Sequence, residues 1–197
     1  MDMKPLKVVP VTDNTDFDHA IATLVLAFNA DPVARWMYND TDHYLRNTPR
    51  LFRALGTSSF EARTAQRSSD GLGVALWLGP GVHADDAALE AVLAETMAAE
   101  KRADVDAAFE RIELFRPTEA HWYLSLIGVE ALHRNNGCGT ALLEYGLRQC
   151  DRDHRPAYLW SSNALNVSLY KRHGFEIVGT IQAGSMPPMF PMLRRAR

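Results

Sequence analysis

The chain has 197 residues, of which 47% are hydrophobic and 23% charged, and this length can bury one sizeable core. A formal net charge of −3 and a pI near 6.2 exclude the strong positive field that non-specific nucleic-acid binding needs. No apolar run approaches the roughly 20 residues of a membrane span, and the first residues lack the pattern of a secretory leader. We therefore expect a cytoplasmic protein of one domain, residues 1–197, with no nucleic-acid or membrane partner.

Hydrophobic periodicity in the first half of the chain alternates between helix and strand patterns. Several capping side chains precede the first helix, and Asp31-Pro32 predicts its end. The predicted elements are a strand at residues 7–11, helices at 17–29 and 44–55, a hairpin of strands at 60–66 and 72–78, and one long or two shorter helices over 85–115.

The second half predicts strands at residues 122–129 and 157–161, an amphipathic helix at 140–150 and a short helix at 166–173 ended by Gly174. Extended stretches follow at 175–180 and 189–193. The hairpins together with one β-α-β crossover predict an α/β fold with a mixed sheet. Cys138 and Cys150 fall in one predicted helix, too far apart along it to form a disulfide.

The segment 127–143 combines a strand, a polar turn with Gly137 and Gly139, and the start of a helix. The first N–H groups of a helix have no intrahelical partner, and the helix dipole places about half a positive charge there. Arg134 adds a cation beside the same amides, and such a group favours a diphosphate. We therefore predict an anion-binding loop.

Other interpretations of the two glycines fit less well. A dinucleotide-binding fingerprint needs a third glycine where this chain has Leu142, and a triphosphate loop needs a Gly-Lys-Ser/Thr triplet that the chain lacks. The glycines alone are also compatible with a simple tight turn.

Two motifs in order resemble the GNAT superfamily of N-acetyltransferases. The first is similar to its Arg/Gln-x-x-Gly-x-Gly/Ala signature and reads Arg134-Asn135-Asn136-Gly137-Cys138-Gly139. The second is similar to its later Asn-x-x-x-x-Tyr-x-x-x-Gly-Phe segment and reads Asn166-Val167-Ser168-Leu169-Tyr170-Lys171-Arg172-His173-Gly174-Phe175. The resemblance is sharp over residues 121–181 and architectural before them. It implies a GNAT-like mixed, mostly antiparallel central sheet flanked by helices, with residues 1–197 as a single acyl-CoA N-acyltransferase domain.

The resemblance implies an enzyme that moves an acetyl group from acetyl-CoA, as cosubstrate and without a metal, directly to a primary amine of a small molecule or peptide. The diphosphate is expected on the amides of residues 135–140 and the pantetheine arm along residues 126–129. The implied coenzyme-binding residues are Ile127, Gly128, Val129, Arg134, Asn135, Asn136, Gly137, Cys138, Gly139, Thr140 and Asn166. The resemblance is compatible with a monomer or a homodimer.

Transfer from a thioester to an amine needs a neutral amine, a polarised carbonyl and a proton for the thiolate. The resemblance assigns the proton to Tyr170 and the polarising N–H to a strand bulge near Ile127, although helical spacing alone also allows Tyr170 to pack beside Phe175. Tyr123 stands where some relatives carry a carboxylate, so the base stays open. The nearby titratable groups are His121, Glu130 and His133, and an ordered water or a pocket that favours the neutral amine is an equal alternative.

The thiol of Cys138 is expected to pack rather than react. The acceptor is expected between the first two helices and the last strands, where residues 185–191 form a rigid loop that could cap the site. The aromatic residues there can wall a pocket or simply pack in the core, and they are Trp36, Tyr38, Trp122, Trp160 and Phe190. Because the sequence identifies no base, the alternative is a CoA-binding module with a GNAT fold but no turnover.

Overall fold

The computed structural model describes residues 6–197, and within them the chain forms seven α-helices and seven strands. None of these helices has the length and hydropathy that crossing a bilayer requires. The elements, in chain order, are β1 (Val8–Pro10), α1 (Asn14–Ala27), α2 (Pro32–Met37), α3 (Thr41–Glu61), β2 (Ala65–Ser68), β3 (Gly73–Leu78), α4 (Asp86–Thr96), α5 (Ala99–Phe115), β4 (Trp122–Val129), α6 (Cys138–Arg152), β5 (Ala157–Ser161), α7 (Val167–Arg172), β6 (Glu176–Ile177) and β7 (Phe190–Arg194).

The strands form one sheet in the order β1-β2-β3-β4-β5-β7-β6. Only β4 and β5 are parallel, and α6 supplies the crossover between them; every other neighbouring pair in this sheet is antiparallel. The predicted α/β fold with a mixed, mostly antiparallel sheet flanked by helices is therefore confirmed.

Strand β3 is buried on both faces, so it separates two layers of core. Successive side chains of a strand point to opposite faces, and Val74 and Leu76 accordingly pack in the core that contains α1 and α3, whereas Ala75 and Trp77 pack with α6. Helix α6 approaches closely because Gly146 lies against Trp77; a Cβ added there would be 2.3 Å from the indole. Helices therefore cover the sheet on both sides.

Strands β4 and β5 are paired only at their beginnings. Within the described residues the parallel pairs are Trp122 with Ala157 and Tyr123 with Tyr158. On its other side β4 has a bulge: Leu124 pairs with Trp77 and Leu126 with Leu76, which leaves Ser125 as the extra residue. The carboxyl halves of β4 and β5 diverge, and this opens the sheet at its middle.

Several predicted boundaries were wrong for identifiable reasons. Residues 60 and 61 end α3 rather than begin a strand, because Gly56 lets the helix pack closely on Phe17 and Leu76 and continue. Helix α2 was not predicted: Pro32 occupies its first turn, where proline is compatible with a helix, so Asp31-Pro32 begins a helix as well as ending the previous segment. Residues 175–180 contain only the two-residue strand β6. The two cysteines are free, as expected.

Candidate functional site

The loop before α6 presents main-chain N–H groups at the end of β4. Asn135 and Gly137 have positive φ angles of 64° and 81°, and Gly137 occupies the cap position of the helix. No side chain caps α6, and its first turn contains no acidic residue. The amides of Gly139 and Thr140 therefore lack intrahelical partners and lie at the positive end of the helix dipole. This geometry suits an anion with several oxygen atoms.

Arg134 is held beside these amides by two carbonyl groups. Its Nε donates to the Val129 carbonyl at 3.3 Å, and its Nη2 donates to the Ala27 carbonyl, at the end of α1, at 2.5 Å. Helix α1 reaches this position because Gly128 has no side chain: a Cβ added there would be 2.7 Å from the Cβ of Ala27. The guanidinium is thereby fixed along the wall of a cleft between α1, β4, α6 and α7.

Ten of the twelve predicted site residues line this cleft. They are Ile127, Gly128, Val129, Arg134, Asn135, Gly137, Gly139, Thr140, Asn166 and Tyr170. Asn136 is exposed outside the wall, and the Cys138 side chain points into the core, where a Cβ added at Gly73 would be 2.5 Å from its sulfur. Only the backbone of this residue is therefore placed to meet a ligand, and burial raises the pKa of its thiol.

The register of β4 decides where its amides point. The Glu130 N–H donates to the Leu72 carbonyl, on the side of β3. Because main-chain groups alternate along an antiparallel ladder, the N–H groups of Ile127 and Val129 point to the opposite side, where β5 has diverged. The Val129 carbonyl, which accepts from Arg134, points the same way. The Ile127 amide is thus directed into the cleft, beyond the bulge at Ser125.

Tyr170 lies where the cleft meets a second pocket, and its side chain lines both. Its ring packs edge-to-face on Phe175 with the centroids 6.1 Å apart, while its hydroxyl forms no hydrogen bond to another group in the described part of the chain. Burial, together with the charge of Asp31, raises the pKa of Tyr170 far above the usual value for tyrosine. The phenol therefore keeps its proton at neutral pH.

The second pocket is apolar and lies between α2, α3, α4, α5 and the diverging strands. Of the five aromatic residues expected in the acceptor pocket, Trp160 lines it, and Trp36, Tyr38, Trp122 and Phe190 do not. Tyr38 is fully buried, with its hydroxyl 2.7 Å from the Thr96 hydroxyl. The walls include Phe28, Met37, Leu51, Phe52, Leu93 and Val105, together with Met186 and Met189 from the segment expected to cap the site.

Asp31 is a site residue that the sequence did not reveal. It is 7% exposed and lines both pockets. Its Oδ1 accepts the N–H groups of Val33 and Ala34 at 3.0 and 3.1 Å, and its Oδ2 accepts the Ser162 hydroxyl at 2.6 Å. Burial raises the pKa of Asp31, while these hydrogen bonds and the charge of Arg134 oppose that increase. Its local pattern indicates only a helix cap, and Ser162 lies 131 positions away in the sequence.

The three titratable groups considered as bases lie elsewhere. His121 bonds the Glu119 carbonyl at the start of β4, and Glu130 and His133, in the loop between β4 and α6, are 3.2 Å from each other. None of them lines the apolar pocket. Among the described residues that line it, Asp31 has the one carboxylate.

Comparison with known proteins gives consistent matches. The model of the acetyltransferase (GNAT) family matches residues 86–175, which contain both sequence motifs up to Phe175. An uncharacterized N-acetyltransferase of Schizosaccharomyces pombe is 29% identical over 180 residues, which cover 81% of this chain and 70% of that protein.

Solved structures extend the likeness over nearly the whole chain. A crystal structure of histone acetyltransferase HPA2 and related acetyltransferase from Corynebacterium glutamicum is 25% identical, with a TM-score of 0.71 over 98% of this chain and 97% of the other. Arabidopsis thaliana Naa50 in complex with the bisubstrate analogue CoA-Ac-MVNAL is 15% identical, with a TM-score of 0.54 over 97% and 99% of the two chains, and is similar in fold alone.

Proposed function

The chain belongs to the GNAT superfamily of acetyltransferases, and from this we propose that it transfers an acetyl group from acetyl-CoA directly to a primary amine of a small molecule or peptide. The observation that carries the proposal is the position of Tyr170. Its protonated, buried hydroxyl lies where an anion-binding cleft meets an apolar pocket. Two substrates that enter from opposite sides would meet beside that hydroxyl.

The cleft fits the coenzyme by its donor groups. Acetyl-CoA supplies the acetyl group as a thioester and also carries a diphosphate. Arg134 and the open amides at the start of α6 offer positive charge and several N–H donors to that diphosphate. Asn166, at the start of α7, lies along the path toward Tyr170. The likeness to Naa50, whose structure contains a CoA-based analogue, supports this assignment.

Two groups of this chain would then perform the transfer. The Ile127 amide, freed from pairing by the divergence of β5, donates to the thioester oxygen and stabilises the charge that develops there. Tyr170 holds a proton for the departing thiolate, because a tyrosine hydroxyl is neutral at physiological pH and burial keeps it so. Direct transfer follows, since the one thiol near the loop, Cys138, points into the core.

Replacement of the Tyr170 hydroxyl tests this function. We expect Tyr170→Phe to lower kcat by about 10²- to 10⁴-fold, the usual contribution of a positioned acid, and to leave the affinity for acetyl-CoA nearly unchanged. Thiol release with a panel of amines measures kcat, and calorimetry measures acetyl-CoA binding. Tyr145→Phe is the matched control, because Tyr145 is partly exposed on α6 away from both pockets.

Two results would contradict the proposal. If Tyr170→Phe turns over as fast as the wild type, the Tyr170 hydroxyl does not act as the acid. Tight acetyl-CoA binding without thiol release for every amine would instead favour the alternative, a CoA-binding module without turnover.

A further inference from the structure

The apolar pocket contains one acidic group. Among the described residues that line it, Asp31 has the one carboxyl group and none has a basic side chain; the other polar side chains are those of Ser125, Ser161, Ser162, Asn166 and Tyr170, with the indole of Trp160. A cation that entered this pocket would therefore meet one acidic group, the Asp31 carboxylate, at the boundary between the pocket and the cleft. A second ionic group on the same molecule would lie against apolar side chains without a partner.

The Asp31 carboxylate has room for one more donor. A carboxylate oxygen has two lone-pair sites, and Oδ2 accepts one hydrogen bond, from Ser162, whereas Oδ1 accepts two from the main chain. Asp31 forms no ion pair with a basic side chain in residues 6–197, because Arg134 is turned toward the carbonyls of Ala27 and Val129. A buried carboxylate without a cation is costly, and a cationic ligand removes that cost.

We propose that Asp31 binds the ammonium group of the acceptor and removes its proton, and that the acceptor is a primary monoamine on an apolar body. This inference rests on the proposed function and names its substrate class. The apolar body lies against the walls formed by Phe28, Phe52 and Met186, while the nitrogen lies beside Asp31 and Tyr170. Diamines, amino acids and peptides fit poorly, because their additional charges and amide groups find no partner in the apolar walls.

The protons balance in this assignment. Asp31 takes one proton from the ammonium, and the neutral nitrogen bonds to the thioester carbon. As the carbon–sulfur bond breaks, the Tyr170 hydroxyl protonates the thiolate, and the second nitrogen proton returns to the Tyr170 oxygen. The proton on Asp31 then leaves to solvent, so that the net products are the amide, the free thiol and one proton.

Pairs of amines that differ by one charged group test the substrate class with the wild-type protein. We expect 2-phenylethylamine to exceed phenylalanine, and hexylamine to exceed 1,6-diaminohexane, by about 100-fold or more in kcat/KM, as for an uncompensated buried charge. Equal rates within either pair would overturn the proposal. This comparison needs no variant and so does not depend on the folding of one.

A binding experiment tests the role of Asp31 without turnover. N,N-dimethyl-2-phenylethylamine carries the ammonium charge but has no N–H to acetylate as a neutral amine, and 2-phenylethanol is its uncharged counterpart. We expect the wild-type protein, saturated with CoA, to bind the amine about 10- to 100-fold more tightly than the alcohol, and Asp31→Asn to lose that preference. Asn still caps a helix, so α2 is retained.

Asp13→Asn is the matched control, because Asp13 caps α1 at an exposed position and should leave the preference unchanged. CoA binding should persist in Asp31→Asn, since the loss of a negative charge does not weaken the binding of an anion. If Asp31→Asn keeps the wild-type preference for the amine over the alcohol, Asp31 does not bind the ammonium group. If no amine is acetylated, the proposed function fails, while the binding preference still decides whether Asp31 receives the cation.

Discussion

At the scale of single residues, Asp31 combines a structural role with an energetic cost. It caps α2, yet burial raises its pKa above the value for an exposed aspartate. The folded protein therefore holds this proton more tightly than the unfolded chain does. The stability that follows is fully present below the unfolded pKa of ~3.9 and is lost as the pH rises through the folded pKa. Above the folded pKa, the ionised carboxylate lowers the free energy of unfolding.

Asp31→Asn should accordingly gain stability relative to the wild type as the pH rises. Asn retains the cap and carries no charge, so the difference in unfolding free energy should increase between about pH 4 and pH 7, by ~1.4 kcal/mol for each unit by which the folded pKa is raised. Urea denaturation at the two pH values measures this difference. If the difference in unfolding free energy between Asp31→Asn and the wild type does not change with pH, burial does not raise the pKa of Asp31. The variant Asp13→Asn, at an exposed helix cap, provides the baseline.

The residues of the site differ in how far the sequence could predict them. The loop from Arg134 to Thr140 is local, since its chemistry depends on a turn and the start of one helix, and most of its predicted residues do line the cleft. Their roles toward the coenzyme stay predictions. Asp31 could not be found in this way, because its position in the site depends on Ser162 and on a pocket formed by α2, α3, α4, α5 and the diverging strands. For the same reason, four of the five aromatic residues predicted to wall the acceptor pocket do not line it.

At the scale of elements, the contact between α1 and β4 determines the shape of the cleft at the loop before α6. Gly128 faces α1, and a Cβ added to it would lie 2.7 Å from the Ala27 Cβ and 3.2 Å from the Leu24 Cδ2. The end of α1 also supplies the carbonyl that holds Arg134. A displacement of α1 would therefore disturb both the core and the position of the guanidinium.

Gly128→Ala should lower the free energy of unfolding by about 1–3 kcal/mol, because overpacking of a filled interface costs this much. Gly139→Ala is the matched control for stability: its added Cβ would be 3.6 Å from Leu169, an ordinary contact, and its helical φ accepts alanine. Urea denaturation of both variants measures the effect. If the two glycine variants unfold at the same urea concentration, the close contact between α1 and β4 does not penalise a side chain at position 128.

Elements with a strong local pattern were predicted well, and those fixed by packing were not. Strands β4 and β5 have the predicted bounds, since each is a continuous β-prone run between clear turn residues. Helix α3 continues well past residue 55 because Gly56 contacts β3 and α1, which lie elsewhere in the sequence. The two-residue strand β6 exists only by pairing with β7.

At the scale of the whole molecule, the sheet consists of two parts that diverge. Strands β1 to β4 form one part and β5 to β7 the other, and the β4–β5 contact has only two registered pairs. Groups from both parts face the gap: Ile127, Val129 and the Arg134 loop from one side, and Asn163, Asn166 and Tyr170 from the other. A ligand that contacts both sides takes the place of the missing strand pairs, so its binding should stabilise the fold as a unit.

Thermal unfolding with and without acetyl-CoA measures this coupling. At a concentration of 100 Kd, a ligand that binds only the folded state adds about 2.7 kcal/mol, which corresponds to an increase in Tm of about 5–11 °C for a chain of this size. Arg134→Ala should reduce that increase at each acetyl-CoA concentration, because the diphosphate loses its fixed cation. The measured quantity is the ligand-induced shift, so a change in the Tm of the variant itself does not interfere. Arg148→Ala, on the exposed side of α6, should keep the full shift. An undiminished shift in Arg134→Ala would mean that acetyl-CoA does not bind at the loop before α6.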